Sequence, residues 1–212
     1  MSDLAFDAKL SDLDLAALLC SRVCHDVISP VGAIANGLEL IDDPEMDAET
    51  KETAMAMVRS SARTAAAKLK FCRIAFGAAG SAGALIDMSE AGEIAKAFVG
   101  EEKVKLEWNA PRENRPKQQV KLLLNMMLMA IAGIPRGGLV TVTVEGDIFT
   151  VRAVGDRAKV PEQIAQVLAG TVDLTALDAR LVQPYYAKAL ARSASLVLSM
   201  EMDGADVLVK AS

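Results

Sequence analysis

One long stretch decides the fold, residues 13–41, with the sequence LDLAALLCSRVCHDVISPVGAIANGLELI. Its apolar residues recur at alternating steps of four and three, the spacing of a helix that packs nearly parallel to other helices. We therefore expect one long helix here, with Asp12 as its N-cap and a kink at Pro30. The apolar seam consists of Leu13, Ala17, Cys20, Cys24, Val27, Val31, Ile34, Leu38 and Ile41.

A second helix of the same kind is predicted after a short turn at residues 42–47. It runs from about residue 48 to 76, and its seam consists of Met55, Val58, Ala62, Ala65, Leu69, Cys72 and Phe76. Two helices joined by a short turn form an antiparallel hairpin. One hairpin cannot cover its own apolar stripes, so we expect two chains to pair as a homodimeric four-helix bundle. The alternative is that the stripes pack on the C-terminal part of the same chain.

The small-residue segment 77–83, GAAGSAG, marks a domain boundary. We therefore expect an N-terminal hairpin domain, residues 1–76, and a C-terminal domain, residues 84–212. Helices are predicted in the second domain at 89–99 (with Ser89 as N-cap), 116–132, 161–168 and 177–192. Strands are predicted at 103–108, 139–145, 148–154, 196–202 and 206–210. The predicted fold class is α+β, with the C-terminal helices layered on one face of a mostly antiparallel sheet.

Composition argues against several classes of function. The chain has 212 residues and a net charge of −5, so nucleic acid is not expected as its main partner. Cys20, Cys24 and Cys72 are odd in number and share the chain with a single histidine, so we predict reduced core cysteines and no metal site. No signal-peptide pattern is seen, and the apolar run 122–134 is shorter than the ~20 residues that span a bilayer. We expect a cytoplasmic protein without a membrane partner.

His25 is the single histidine of the chain and lies on the flank of the first seam. Imidazole can accept and release a phosphoryl group near neutral pH. The positions that share its helix face are all small or polar: Ser21, Ser29, Gly32 and Asn36. Such a ring is open to a docking protein. From the geometry alone, a phospho-accepting histidine and a surface histidine without chemistry both remain open.

Two charged residues lie next to His25. The Asp26 carboxylate can bind one ring nitrogen, fix the tautomer and raise the basicity of the other nitrogen. Arg22, three residues before His25, can contact phosphoryl oxygens or an acidic partner. Either side chain can instead be a solvated helix charge. The candidate catalytic residues are therefore His25 and Asp26, and the candidate partner-binding residues are Ser21, Arg22, Ser29, Gly32 and Asn36.

The motif His25-Asp26-Val27-Ile28-Ser29-Pro30-Val31 resembles the H-box of sensor histidine kinases. Residues 122–130, LLLNMMLMA, are similar to the N-box helix of their ATP-binding domain, with Asn125 at the metal-contacting position. The glycine-rich nucleotide loops of that family are replaced by GDRAKVP at 155–161 and ARLVQPYY at 179–186. Without paired glycines the backbone cannot wrap closely round a triphosphate.

A kinase-like hairpin followed by a degenerate, Bergerat-like ATP-binding domain resembles the ChpT-type histidine phosphotransferases of alphaproteobacterial phosphorelays. The resemblance is strongest over residues 18–40. It implies a shuttle that takes a phosphoryl group from the receiver-domain Asp of a hybrid histidine kinase onto His25 and passes it to the receiver Asp of response regulators. It also implies no cofactor on this chain, with Mg²⁺ on the receiver and no ATP binding. The alternatives are an ATP-dependent histidine kinase with a divergent nucleotide site and a non-catalytic binding module on a kinase scaffold.

Overall fold

Two long antiparallel helices form the N-terminal hairpin of the computed structural model, which describes residues 10–77, 83–100 and 103–212. Helix α1 spans Asp12–Asp42 and passes through Pro30 without a break, and helix α2 spans Ala48–Ala75. The sequence predicts Asp12 as the N-cap of α1, but Ser11 takes that place and accepts from the backbone N–H of Asp14. Serine and aspartate are both good N-caps. The helix begins one residue earlier than predicted, so Asp12 is its first residue rather than its cap. The hairpin prediction is confirmed.

The two helices approach closely at Gly37. A Cβ atom added to Gly37 would lie 2.5 Å from a methyl carbon of Val58, so only a residue without a side chain fits there. Gly37 and Pro30 are the two buried residues of α1. Val27 and Ile34 of the predicted seam are half-buried. Helix α2 therefore packs against one face of α1, where the closest approach is at a glycine. The neighbouring apolar face of α1 is left uncovered.

That uncovered face, here called the exposed stripe, follows the helix at steps of three and four. Within it, Ile28 is 70% exposed, Val31 48% and Leu38 46%. Leu69 of α2 is also 50% exposed. The exposed stripe consists of Leu13, Ala17, Cys20, Cys24, Ile28, Val31, Ala35 and Leu38.

The exposed stripe explains two further properties of α1. By length and composition α1 is the one described helix that could cross a membrane, yet its polar face carries Arg22 and Asp26, which a lipid environment disfavours. Of the three predicted core cysteines, Cys72 is buried in the single chain, whereas Cys20 and Cys24 are exposed on the stripe, and their burial stays a prediction that depends on a second copy. The seam residues were expected inside, but a single chain provides nothing to cover them.

The C-terminal part alternates short strands and helices. Two predicted helix starts differ from the structure. Asp87, not Ser89, is the N-cap of α3. Asp178 accepts from the backbone N–H groups of Arg180 and Leu181 in a turn, so α6 begins at Val182 rather than at residue 177. Strands β1 and β3 were not predicted, because strands of three residues are too short to show an alternation of apolar and polar residues. The elements are β1 Leu85–Asp87, α3 Met88–Val99, β2 Val104–Asn109, β3 Asn114–Pro116, α4 Lys117–Ala132, β4 Gly138–Glu145, β5 Ile148–Val154, α5 Glu162–Ala169, a 3₁₀ turn Leu174–Ala176, α6 Val182–Ser193, β6 Leu198–Asp203 and β7 Asp206–Ala211.

The main sheet has five strands in the order β2-β4-β5-β7-β6, and its neighbours are antiparallel except for the parallel pair β2–β4. Alternate residues of the central strands, such as Val142 and Val151, are fully buried and join the core with α4. The α+β class and the mostly antiparallel sheet are confirmed. Strands β1 and β3 form a separate antiparallel pair.

The base of the hairpin shares this core. Phe71 at the end of α2 stacks on Phe98 of α3 with ring centroids 4.0 Å apart, and Leu18 of α1 joins a smaller cluster with Leu177 and Leu181. The alternative, that the apolar stripes of the hairpin pack on the C-terminal part of the same chain, therefore holds only at the base of the hairpin. Residues 78–82 of the predicted linker lie outside the described residues, so the boundary between domains 1–76 and 84–212 stays a prediction.

Candidate functional site

Helix α1 presents His25 on an open face above the base of the hairpin. The imidazole side chain is 56% exposed. A Cβ atom added to Gly32 would meet no described atom within 4 Å. The predicted partner-binding residues on this face are all exposed, namely Ser21, Ser29, Gly32 and Asn36. The helix therefore brings together the residues that its spacing predicts.

Asp26 lies further round α1, towards α2, and its side chain is only 13% exposed. Its Oδ1 lies 3.3 Å from Nδ1 of His25. Its Oδ2 accepts a hydrogen bond of 2.9 Å from Nε of Arg22, which is 19% exposed. One carboxylate thus contacts both the imidazole and the guanidinium within a single turn of helix.

The neighbouring residue on α2 is Cys72, a buried cysteine that sequence reasoning did not connect with this site. Burial, and then the negative charge of Asp26, raise the pKa of the Cys72 thiol to about 11, while Arg22 and Lys68 act in the opposite direction. The thiol is therefore protonated at neutral pH and is a poor nucleophile. Cys72 is far from Asp26 in sequence, so the sequence alone did not link the two residues. The antiparallel hairpin places them on neighbouring parts of α1 and α2.

The chemistry available here centres on the ring. Oδ1 of Asp26 lies at Nδ1, and Nε2 is the ring nitrogen that no described residue binds. A ring nitrogen with a free lone pair is a nucleophile near neutral pH. Among residues 10–77, 83–100 and 103–212, no three His, Cys, Asp or Glu side chains are grouped to hold a metal ion.

The helix that resembles an N-box has a structural role. Asn125 is fully buried, and its Nδ2 donates to the carbonyls of Ala75 and Lys121 at 3.1 and 2.8 Å. Gln183 of α6 in turn donates to the side-chain and backbone oxygens of Asn125. Residues 120–130 of α4 are all buried. The Asn125 amide, at the position that contacts metal in the family it resembles, thus joins the end of α2 to α4 and α6.

We predict that Asn125→Leu lowers the free energy of unfolding by about 2 kcal/mol, because it leaves the Ala75 carbonyl buried without this donor and removes the side-chain acceptor of Gln183, which keeps only the backbone oxygen of residue 125. Denaturant unfolding at one fixed protein concentration measures this. Asn36→Leu is the matched control on an exposed helix face and should change stability by about 0.5 kcal/mol or less. Equal free energies of unfolding for the two variants would contradict the role of Asn125 in joining α2 to α4 and α6.

The C-terminal part of the chain, residues 88–206, matches the family model described as the histidine phosphotransferase C-terminal domain. The chain belongs to the histidine phosphotransferase family. It is similar to protein phosphotransferase ChpT of Brucella abortus (strain 2308), with 44% identity over 98% of this chain and all of that protein. It is also similar to a solved bacterial phosphotransferase structure at 1.7 Å, with a TM-score of 0.88, 43% identity and coverage of 97% of this chain and 99% of the other.

These similarities confirm the predicted family and its phosphotransfer function. A kinase and a non-catalytic binding module are not favoured for a phosphotransferase that is related over nearly its whole length. The roles of individual residues, the dimer, the partners and the lack of ATP binding stay predictions for this phosphotransferase.

Proposed function

We propose that this phosphotransferase is a phosphorelay shuttle. His25 takes a phosphoryl group from the receiver-domain Asp of a hybrid histidine kinase and passes it to the receiver Asp of response regulators. The observation that carries the proposal is the exposed imidazole of His25, with Asp26 at its Nδ1, on a face lined by small side chains. We place this activity in the cytoplasm.

In the first step the lone pair of Nε2 attacks the phosphorus of the receiver's aspartyl phosphate. The N–P bond forms as the P–O bond to the receiver breaks, and the receiver carboxylate leaves with that electron pair. The proton on Nδ1 stays there, and Asp26 stabilises the positive charge of the phosphorylated ring. In the second step another receiver's carboxylate attacks the phosphorus, and Nε2 regains its lone pair. Such transfers depend on positioning and charge neutralisation.

Most of the polar groups for this reaction are proposed to come from the receiver, which would also hold the Mg²⁺. This assignment fits the small or uncharged side chains that share the helix face of His25. The proposed docking surface consists of Ser21, Ser29, Gly32 and Asn36, small or polar residues that allow receiver loops to approach the ring. Close approach is needed because the reacting atoms must come within about 3.5 Å of each other.

We also propose that a second copy of the chain covers the exposed stripe to form a four-helix bundle. The stripe continues across the hairpin into an apolar groove of about 340 Å³ between α1 and α2, lined by residues that include Cys20, Leu69 and Phe76. A helix with an apolar stripe is stable when another helix buries it. A second hairpin carries the same stripe and the same groove, so the stripe of each copy can pack into the groove of the other in a symmetric dimer.

Leu69→Glu is predicted to convert the dimer into a monomer, since two copies of the variant would bury a carboxylate in the bundle core. Sedimentation analysis over a range of concentrations measures the association. Leu85→Glu is the matched control, because Leu85 is 61% exposed on β1, away from the hairpin, and this variant should remain dimeric. A dimer of unchanged affinity for Leu69→Glu would contradict the bundle.

The buried state of α4 and the bonds of Asn125 support the proposal that the chain does not use ATP. Two measurements test the shuttle against a kinase. Mg-ATP should not raise the melting temperature, although a bound ligand would, and acid-labile phosphate should appear on the chain only with a phosphorylated receiver. Acid-labile phosphate formed with ATP alone would overturn the proposal.

A further inference from the structure

The Asp26 carboxylate is held at both oxygens. Arg22 donates to Oδ2 at 2.9 Å, while Oδ1 lies 3.3 Å from Nδ1 of His25. The carboxylate is largely buried, at 13% exposed, and the imidazole at its other end is 56% exposed. A chain of contacts therefore runs from the mostly buried guanidinium, through the mostly buried carboxylate, to the exposed ring.

The helix alone does not bring Asp26 to His25. Successive residues on a helix point about 100° apart, so their side chains do not face each other. The Asp26 carboxylate must therefore be turned towards the ring by another contact. Arg22 stands four residues before Asp26, the spacing at which side chains on a helix meet. Its planar guanidinium has N–H groups in fixed directions, so it sets the orientation of the carboxylate as well as its charge.

We infer that Arg22 is a positioning residue of phosphoryl transfer: by holding Oδ2 of Asp26 it keeps Oδ1 on Nδ1 of His25, so that the ring proton stays on Nδ1 and Nε2 keeps its lone pair. This inference rests on the proposed role of His25 as phosphoryl acceptor. Arg22 then acts on the rate of transfer inside the complex. A partner-binding role would instead change the affinity for the receiver.

Arg22→Met tests this, because methionine keeps a long apolar stem but has no donor. The ¹⁵N shifts of the single histidine report its tautomers directly. We expect the wild type to hold the Nδ1–H form and Arg22→Met to show a mixture of the two tautomers. Single-turnover transfer from a phosphorylated receiver should slow about tenfold, while the receiver Kd changes by about twofold or less. Arg22→Lys, which can still pair with Asp26, should recover part of the rate.

Lys68→Met is the matched control. Lys68 on α2 acts on the same Cys72 thiol as Arg22, but it forms no ion pair with a described carboxylate. This variant should keep the wild-type tautomer and transfer rate. A wild-type tautomer or rate in Arg22→Met, equal slowing in both variants, or a loss of affinity alone would overturn the inference. If the wild type acquired no phosphate at His25, the proposed function would fail, while the tautomer comparison would still test the hold of Arg22 on Asp26.

Discussion

Replacing His25 with alanine is expected to abolish phosphoryl transfer in both directions and leave the fold and the oligomeric state intact. The imidazole is 56% exposed, so its removal opens no cavity in the core. Alanine also favours helix more than histidine does. The Cys72 thiol is a poor substitute for this nucleophile, because burial and the charge of Asp26 raise its pKa to about 11. We expect a loss of about 10⁴-fold or more, as for removal of other nucleophiles.

The experiment follows labelled phosphate from a phosphorylated receiver to the chain and from the chain to a second receiver. Circular dichroism and sedimentation establish that His25→Ala remains folded and associated like the wild type. Ser60→Ala, a truncation on the exposed surface of α2, is the control and should transfer at the wild-type rate. Label that still reached the second receiver through His25→Ala would show that another group carries the phosphate.

Gly32→Leu is expected to block receiver docking. A Cβ at Gly32 meets no described atom within 4 Å, so leucine fits the isolated chain without strain and projects into the space above the helix. Gly32 lies on the same helix face as His25, one turn beyond Ser29. A receiver that reaches the ring would collide with the new side chain. We expect the receiver Kd to rise about 100-fold, which corresponds to about 2.7 kcal/mol.

Gly32→Ala provides the graded control for this surface. Alanine adds one methyl group and stabilises the helix by about 1 kcal/mol relative to glycine, so folding is not impaired and docking should weaken far less than in the leucine variant. Isothermal titration with a receiver domain measures both variants. Unchanged affinity for Gly32→Leu would remove this face from the docking surface.

The sequence predicted the hairpin and the face around His25 because both depend on regular helix spacing. Alternating steps of three and four define the seam, and the positions at four, seven and eleven residues from His25 share its face. It predicted the wrong cap at Asp12 because Ser11 is equally suited to the role. Cys20 and Cys24 were expected in the core because they lie on the heptad seam. A heptad seam identifies residues that pack against another helix, but it does not show whether that helix belongs to the same chain or to another.

The parts of the site that could not be predicted depend on contacts between distant segments. The charge of Asp26 acts on the Cys72 thiol because α2 returns alongside α1. The bond from Asn125 to the last residue of α2 spans 50 positions in sequence. A resemblance to the N-box placed Asn125 at a metal-contacting position, whereas residues 120–130 of α4 are buried and the Asn125 amide bonds to groups of the chain itself.

The most direct test of the shuttle is a time course in which a labelled, phosphorylated receiver, this phosphotransferase and a second receiver are mixed without ATP. We predict that the label appears transiently on His25, located by peptide mass spectrometry under alkaline conditions, and then accumulates on the second receiver. Label that passed between receivers without ever appearing on His25, or that entered the chain from ATP alone, would contradict it.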